Sequence, residues 1–131
     1  MTFIGQRLDD ILRPYLKIYE TKPQTTKPLN IIVITDGAAS DDVEAVIVQH
    51  ARKLDSLEAC PWQIGIQMFQ VGDDPKAKAM LDDLDDGLEY RAGVRDMVDT
   101  VAYKDGMEFD AKMILMVLLG SVNRRLDRKD V

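Results

Sequence analysis

The segment Leu29 to Gly37, which reads LNIIVITDG, constrains the fold of this chain more than any other segment. Its run from Ile31 to Ile34 is apolar and β-branched throughout, and such residues favour a strand. An apolar run without alternation predicts a strand buried on both faces, as in a parallel sheet that helices cover. The run ends at Asp36 and Gly37, where an acidic side chain and a turn follow the strand. Ligands of open α/β sheets bind at this end, so the sequence also indicates a site there.

Size and charge limit the classes of protein to which the chain can belong. Its 131 residues suit one domain with a sizeable core, and 23 acidic against 17 basic side chains give a net charge of −6. This negative charge disfavours binding to nucleic acid and to anionic membranes, because phosphate groups require a basic face. No apolar run approaches the ~20 residues that span a bilayer. We therefore expect neither a nucleic-acid partner nor a membrane partner.

The chain has one cysteine and one histidine, and both restrict its chemistry. Cys60 cannot form an internal disulfide bond, which favours a reduced setting inside the cell. The N-terminal segment MTFIGQRLDD lacks the basic and long apolar regions of a signal peptide, so we expect a cytoplasmic protein. His50 excludes a metal cluster built from several histidines, and no G-x-S-x-G motif accompanies it. A half-buried packing role is the interpretation that we favour for His50.

Helical and strand patterns alternate along the chain. Apolar spacing predicts a helix over 5–20, a strand over 29–35, a helix to about 57, a strand over 62–71, a helix over 75–88, a strand over 98–103 and a helix over 110–129. Pro14 predicts a kink or a restart in the first helix, and Gly87 predicts fraying or the end of the third. Asp41 with Glu44 predicts a capping box for the second helix, and Asp74 is the expected cap of the third. This alternation predicts an α/β fold with a three-stranded, mainly parallel sheet flanked by about four helices.

Three parts of the sequence resemble one known family. They are PLNIIVITDGAASDDVEAVI (Pro28 to Ile47), PWQIGIQMFQVGDDPKAKAMLDDLDDGL (Pro61 to Leu88), and RDMVDTV (Arg95 to Val101) with LGSVNRRLDRK (Leu119 to Lys129). They are similar to the fourth strand with its TDG turn, the fifth strand with its helix, and the closing strand and helix of the von Willebrand factor A domain. The similarity is greatest to cytosolic fungal members. The resemblance implies that residues 1–131 form one domain equivalent to the C-terminal half of this doubly wound, Rossmann-like fold.

The functional centre of that family is a metal-ion-dependent adhesion site, which usually holds Mg²⁺ between three loops. The resemblance implies that Asp36 matches the ligand of the TDG turn and that Thr2 matches the threonine of a second loop. The D-x-S-x-S motif of the remaining loop does not occur in the sequence. Because Mg²⁺ requires about six oxygen ligands, the resemblance implies a degenerate site that binds Mg²⁺ or Mn²⁺ weakly. We expect no resident cofactor.

The missing first strand of the family would lie beside the strand over 29–35 and pair with it. Without that neighbour, the unpaired backbone of this strand is a template for pairing, and no lysine or internal proline protects it. We therefore expect a homodimer in which two copies of the Leu29 to Thr35 edge pair, antiparallel about a two-fold axis, into a six-stranded sheet. The expected edge residues are Ile31, Ile32, Val33 and Ile34. The alternative is that the N-terminal segment or the first helix covers this edge.

The function that we favour is non-enzymatic: a protein-interaction module that binds an unidentified protein partner at the carboxyl end of the sheet. The candidate residues are Asp36, Gly37, Ser40 and Asp41, with Thr2 beside them. A second hypothesis is an effector or immunomodulatory protein that acts on other cells, exported by a non-classical route. A third is a carboxylate-based hydrolase, which requires two acids in a shared pocket with a raised pKa. The clustered aspartates are more typical of helix caps and solvated surface.

Overall fold

Helices and strands alternate along the part of the chain that the computed structural model describes, residues 3–101, the side chains of residues 85–92 excepted. The elements are α1 (Ile4–Thr21), β1 (Leu29–Thr35), α2 (Val43–Ser56), β2 (Ile64–Gln70), α3 (Pro75–Ala92) and β3 (Val98–Val101). No helix among these residues is both long enough and apolar enough to cross a membrane. The helix predicted over 110–129 and the last two residues of the strand predicted over 98–103 lie outside the described residues.

The three described strands form one parallel sheet in the order β1-β2-β3. Leu29 lies opposite Ile64 and Thr35 lies opposite Gln70, so β1 and β2 pair over their whole lengths. Val98 lies opposite Ile66 and Val101 lies opposite Phe69, so the shorter β3 pairs with the middle of β2. The predicted α/β class with a three-stranded parallel sheet is therefore confirmed. The order puts β1 at one edge of the described sheet and β2 in its centre.

The burial of the strands corrects one prediction. Along β1 buried and exposed residues alternate: Ile31 and Thr35 are buried, whereas Ile32 is 39% and Ile34 is 54% exposed. The prediction that this strand is buried on both faces is therefore wrong. Every residue of β2 is buried, although its sequence alternates more clearly. The cause is position: a central strand has neighbours on both sides, whereas an edge strand gains burial mainly on the face that helices cover.

The helices begin and end close to the predicted positions. α1 continues through Pro14, so the predicted restart is absent from the described structure. α3 begins at Pro75 as predicted, but it continues past Gly87 to Ala92. A glycine inside a helix costs only about 1 kcal/mol, and packing of the helix offsets such a cost. Gly93 follows with a φ of 64°, a left-handed conformation that commonly ends a helix.

The main hydrophobic cluster of the described residues joins α1, α2 and α3 to the sheet. α1 and α2 each turn a regular apolar stripe inward, and both stripes join the cluster that contains Ile31 of β1 and Met68 of β2. The residues buried on the two helices are Ile4, Gly5, Leu8, Leu12, Leu16, Tyr19, Val43, Ile47, His50, Ala51 and Leu54. This packing sets the loop after β1 beside the beginning of α1, and that contact shapes the candidate site.

Candidate functional site

The turn after β1 is held by Thr35, not by the aspartate that follows it. The buried Thr35 hydroxyl donates to the Gly37 carbonyl at 2.6 Å, and it accepts a hydrogen bond from the Gly37 N–H at 3.3 Å. The Thr35 carbonyl accepts from the Val71 N–H at 2.8 Å, which ties the turn to the end of β2. Asp36 is exposed. Its carboxylate is therefore presented to solvent by a turn that other groups hold in place.

Asp74 joins this turn from the neighbouring loop. A Cβ built on Gly37 would lie 3.6 Å from the Asp74 Oδ2 atom, so the loops after β1 and β2 meet here. Asp74 Oδ1 accepts from the Lys76 N–H at 2.9 Å, which agrees with its predicted role at the start of α3. The Asp74 carbonyl also accepts from the Nε2 atom of the buried Gln70 at 3.0 Å. The periodicity identified Asp74 as a cap only, and tertiary structure adds it to the candidate site.

Asp41 has a different role from the one predicted. Its carboxylate accepts hydrogen bonds from the backbone N–H groups of Gly5 at 3.0 Å and Gln6 at 2.7 Å, so it caps α1. Asp42 caps α2 instead, since its Oδ1 atom accepts from the Ala45 N–H at 3.0 Å. The predicted capping box with Asp41 as its cap is therefore wrong, because the cap is the next residue and the residue three positions after it is an alanine. Phe3, the residue before α1, has no acceptor atom in its side chain. Asp41, which is distant in sequence, therefore supplies the acceptor for the first N–H groups of α1.

The loop that contains Ser40 borders a small pocket against α3. This pocket has a volume of about 210 Å³. At its wall the Ala39 N–H donates a hydrogen bond to the Met80 sulfur at 3.3 Å. The lining residues are Ala38, Ala39, Asp41, Asp42, Val43, Glu44, Met80, Asp83 and Leu84. Ser40 itself is exposed. The rim is acidic, so the pocket suits a cationic or hydrogen-bond-donating group more than an anion.

The metal interpretation concerns Asp36 and Thr2. Thr2 lies outside the described residues. Within residues 3–101, no group of three or more histidine, cysteine, aspartate or glutamate side chains is placed to hold a metal ion. Of the two predicted ligands, the structure therefore describes the position of Asp36, at the carboxyl end of β1. One carboxylate supplies a small part of the oxygen shell that a divalent cation requires.

The outer side of β1 offers backbone groups to a further strand. The Leu29 N–H donates to the Gln63 carbonyl at 2.8 Å, and the Thr35 carbonyl accepts from the Val71 N–H, so odd-numbered residues direct these groups towards β2. Because the direction alternates along a strand, Ile32 and Ile34 direct their N–H and C=O groups away from β2. We call this side the free edge. No strand in the described part of the chain pairs with it.

An apolar groove of about 430 Å³ runs along the free edge between β1 and α1, and we call it the edge groove. Its lining residues are Phe3, Ile4, Arg7, Leu8, Ile11, Ile31, Ile32, Val33 and Ile34. Phe3 is 50% and Ile11 is 46% exposed, although both are large and apolar. Together with Ile32 and Ile34 they form a contiguous apolar surface, which is the kind of patch that marks an interaction site. The predicted edge residues are all in this groove.

A third polar cluster joins α1 to α2. His50 is 4% exposed, and its Nε2 atom lies 2.8 Å from Asp9 Oδ1. Asp9 also accepts from two nitrogens of Arg13, at 3.0 to 3.2 Å. The hydrogen bond with His50 is the main cause that lowers the pKa of Asp9, Arg13 adds to it, and burial opposes it. The carboxylate-based hydrolase hypothesis requires a raised pKa, so Asp9 does not meet it.

Sequence reasoning missed the pairing of Asp9 with His50. The two residues are 41 positions apart, one on α1 and one on α2. Which faces of these two helices meet is decided by their packing. The sequence shows one polar residue near the apolar face of each helix, Asp9 and His50. This pattern does not indicate that the two residues contact each other. His50 is also more deeply buried than the half-buried packing role that we expected.

The chain matches no family model, no curated protein and no solved structure.

Proposed function

We propose that this chain is a non-enzymatic protein-interaction module that resembles the C-terminal half of a von Willebrand factor A domain and acts as a homodimer. The observation that supports it most strongly is the free edge of β1. This edge borders an apolar groove, and the exposed Ile32 and Ile34 lie along it. An unprotected apolar edge favours addition of a strand, because the new strand satisfies the backbone groups and covers the apolar side chains.

The strand order is what the family resemblance implies. The strands that resemble the fourth, fifth and closing strands of the family are β1, β2 and β3, and they are neighbours in that order. The family's first strand would lie against the free edge, and its D-x-S-x-S motif does not occur in the sequence. A second copy of β1 would take the place of that strand.

Charge favours an antiparallel arrangement of the two copies. The exposed Lys27 lies shortly before β1 and the exposed Asp36 follows it, so the two ends of the strand carry opposite charges. A two-fold axis through the middle of β1 would bring Lys27 of one copy towards the partner's Asp36, at both ends of the pair. A parallel arrangement would put like charges beside each other. The result is one continuous six-stranded sheet with two outward-facing candidate sites.

The protein partner would bind at the carboxyl end of the sheet. Asp36, Gly37 and Ser40 form its accessible part, and Asp41 supports the loop from behind through its bonds to α1. Any divalent cation at Asp36 would bind weakly, and binding of the partner would not require it. We place this activity in the cytoplasm, where the exposed Cys60 would stay reduced.

The mass of the protein in solution tests the dimer. Light scattering after size exclusion should give twice 14.8 kDa. Ile34→Lys should give the monomer, because a lysine on an exposed edge strand opposes the addition of another strand. Ile18→Lys is the matched control: Ile18 is 55% exposed on α1, close to the 54% of Ile34, and it is not a lining residue of the edge groove.

A second variant tests the backbone of the edge. Ile32→Pro removes an N–H that points away from β2, so it should leave the pairing of β1 with β2 intact while blocking a further strand. A wild-type protein that stays at 14.8 kDa across the micromolar range would falsify the dimer. Equal loss of the dimer in the Ile18→Lys variant would rule out the edge as its location.

The partner site is tested separately from the dimer. Affinity capture from an extract should retain the same partner with and without EDTA, and Asp36→Ala should reduce this capture while the dimer persists. Calorimetry with Mg²⁺ and Mn²⁺ should give only weak heats. A saturable signal at micromolar metal that disappears in Asp36→Ala would show a complete metal site instead.

A further inference from the structure

A second groove, of about 490 Å³, lies between α1 and α2. It shares no lining residue with the edge groove or with the pocket beside Ser40. Four cationic side chains line it: Arg13 and Lys17 from α1, and Arg52 and Lys53 from α2. We call it the basic groove. Its walls are two packed helices and not loops, so the groove is already formed in the absence of a ligand.

The charge of this groove is opposite to that of the whole chain. The sequence has a net charge of −6, yet Glu20 is the one acidic residue among the groove's lining residues, all of which are described. Glu20 accepts a bond from Lys53 at 3.3 Å. Within residues 3–101, Lys17 and Arg52 have no carboxylate partner. The groove therefore has a local surplus of positive charge that its own carboxylates do not neutralise.

The buried His50 lines the basic groove, and Asp9, which is 20% exposed, lies beside it on α1. The Asp9 carboxylate contacts the His50 Nε2 atom at 2.8 Å and binds the guanidinium of Arg13 on the opposite wall. One carboxylate thus orients two nitrogen-bearing side chains that line the groove. Groups held from behind in this way lose little freedom when they bind a ligand, which is the general property of preorganised sites. Cationic residues at the end of a helix complement its dipole, but that role does not require a buried histidine.

We propose that the basic groove binds a small soluble molecule that carries one or more phosphate groups. The volume is within the range of small-molecule sites, and guanidinium groups match phosphate oxygens in geometry and charge. The concave shape disfavours a flat anionic bilayer, and the net charge of −6 disfavours an extended polyanion such as nucleic acid. This site is independent of the free edge and of the proposed partner site.

Titration with pyrophosphate, at an ionic strength held constant with NaCl, tests the proposal. Calorimetry should show saturable binding, and amide shifts in ¹H–¹⁵N spectra should concentrate at Lys17, His50, Arg52 and Lys53. A variant with Lys17→Ala and Arg52→Ala should bind at least tenfold more weakly, because each lost charged contact contributes about tenfold or more. A variant with Lys76→Ala and Lys78→Ala, which removes two exposed cations from α3, is the matched control and should bind as the wild type does.

Three results would overturn the proposal. The first is a response to pyrophosphate that does not saturate or that NaCl reproduces. The second is equal weakening in the α3 control, which would show general charge attraction. The third is tighter binding of a polyglutamate peptide, or of phosphatidylcholine vesicles containing a phosphoinositide, than of pyrophosphate. That result would assign the groove to an acidic protein or to a membrane.

Discussion

The carboxylate of Asp41 accepts a hydrogen bond from the backbone N–H of Gly5 at 3.0 Å, and this contact joins the loop after β1 to the beginning of α1. Gln6 donates to the same carboxylate at 2.7 Å. The first N–H groups of a helix lack partners within the helix, and the helix dipole makes this end positive. An ionised carboxylate satisfies both requirements. This contact therefore connects the loop of the candidate partner site to the helix that lines the edge groove.

We expect Asp41→Ala to lower the free energy of unfolding by about 1–2 kcal/mol, as loss of a helix cap does. Asp41→Asn should lower it less, because the amide oxygen keeps one acceptor but loses the charge. Asp73→Ala, in an exposed loop position, is the control and should change stability little. Urea denaturation followed by circular dichroism measures all three. Equal losses for the Asp41 and Asp73 variants would contradict the capping role.

Gly5 tests the same contact from the helix side. A Cβ on Gly5 would lie 3.0 Å from Asp41 Oδ2, which is closer than ordinary packing allows. Replacing glycine by alanine in a helix usually stabilises it by up to about 1 kcal/mol. We expect Gly5→Ala to give no such gain in the wild type and to recover it when combined with Asp41→Ala. A double-mutant cycle in urea measures this coupling, and additive effects would show that the carboxylate is not in the way.

The pair of Asp9 and His50 makes part of the stability depend on pH. The bond from His50, with a further contribution from Arg13, holds the pKa of Asp9 below its usual value of 3.8. A group whose pKa is lower in the folded state contributes stability that is present above its unfolded value and is lost as the pH falls through the folded value. Asp9→Asn should therefore flatten the dependence of unfolding free energy on pH below about 5.

An NMR titration of the Asp9 carboxyl carbon gives the second readout for this pair. His50→Gln should move the pKa of Asp9 upwards, because the bond from His50 is the largest cause of the shift. The titrations of other aspartates in the same spectra are the internal control. An unchanged Asp9 titration in His50→Gln would show that Arg13 alone sets it.

Arg95 lies between α3 and β3, and it binds the end of α2 and the loop that follows α2. Its side chain is 13% exposed, and it donates to Asp55 Oδ1 at 2.7 Å, the Ala59 carbonyl at 2.8 Å and the Cys60 carbonyl at 2.9 Å. Arg95→Lys cannot reproduce this fork, so we expect a loss of about 2 kcal/mol in unfolding free energy. Arg7→Lys, at an exposed position, is the control. Similar small changes for both variants, measured by urea denaturation, would contradict the role of the guanidinium fork.

Local sequence was sufficient for the type and approximate bounds of each described element. The apolar spacing of α1, the strand residues of β1 and the Asp74-Pro75 start of α3 act within a few positions of one another, so a short window contains the relevant interactions. The parallel sheet followed from the alternation of helices and strands, because parallel neighbours require a crossover. The candidate position of Asp36 at the carboxyl end of β1 followed in the same way.

The tertiary structure decided which strand is central and which carboxylate meets which helix. The burial of β1 and β2 is the reverse of what their patterns indicate, because burial depends on neighbours that lie far away in sequence. Asp41 and Asp42 are adjacent and chemically alike, yet one caps α1 and the other α2. Such choices depend on distances between elements, set only when α1 and α2 pack against the sheet. Sequence alone therefore determined the elements and their alternation, while packing determined the contacts that form the candidate sites.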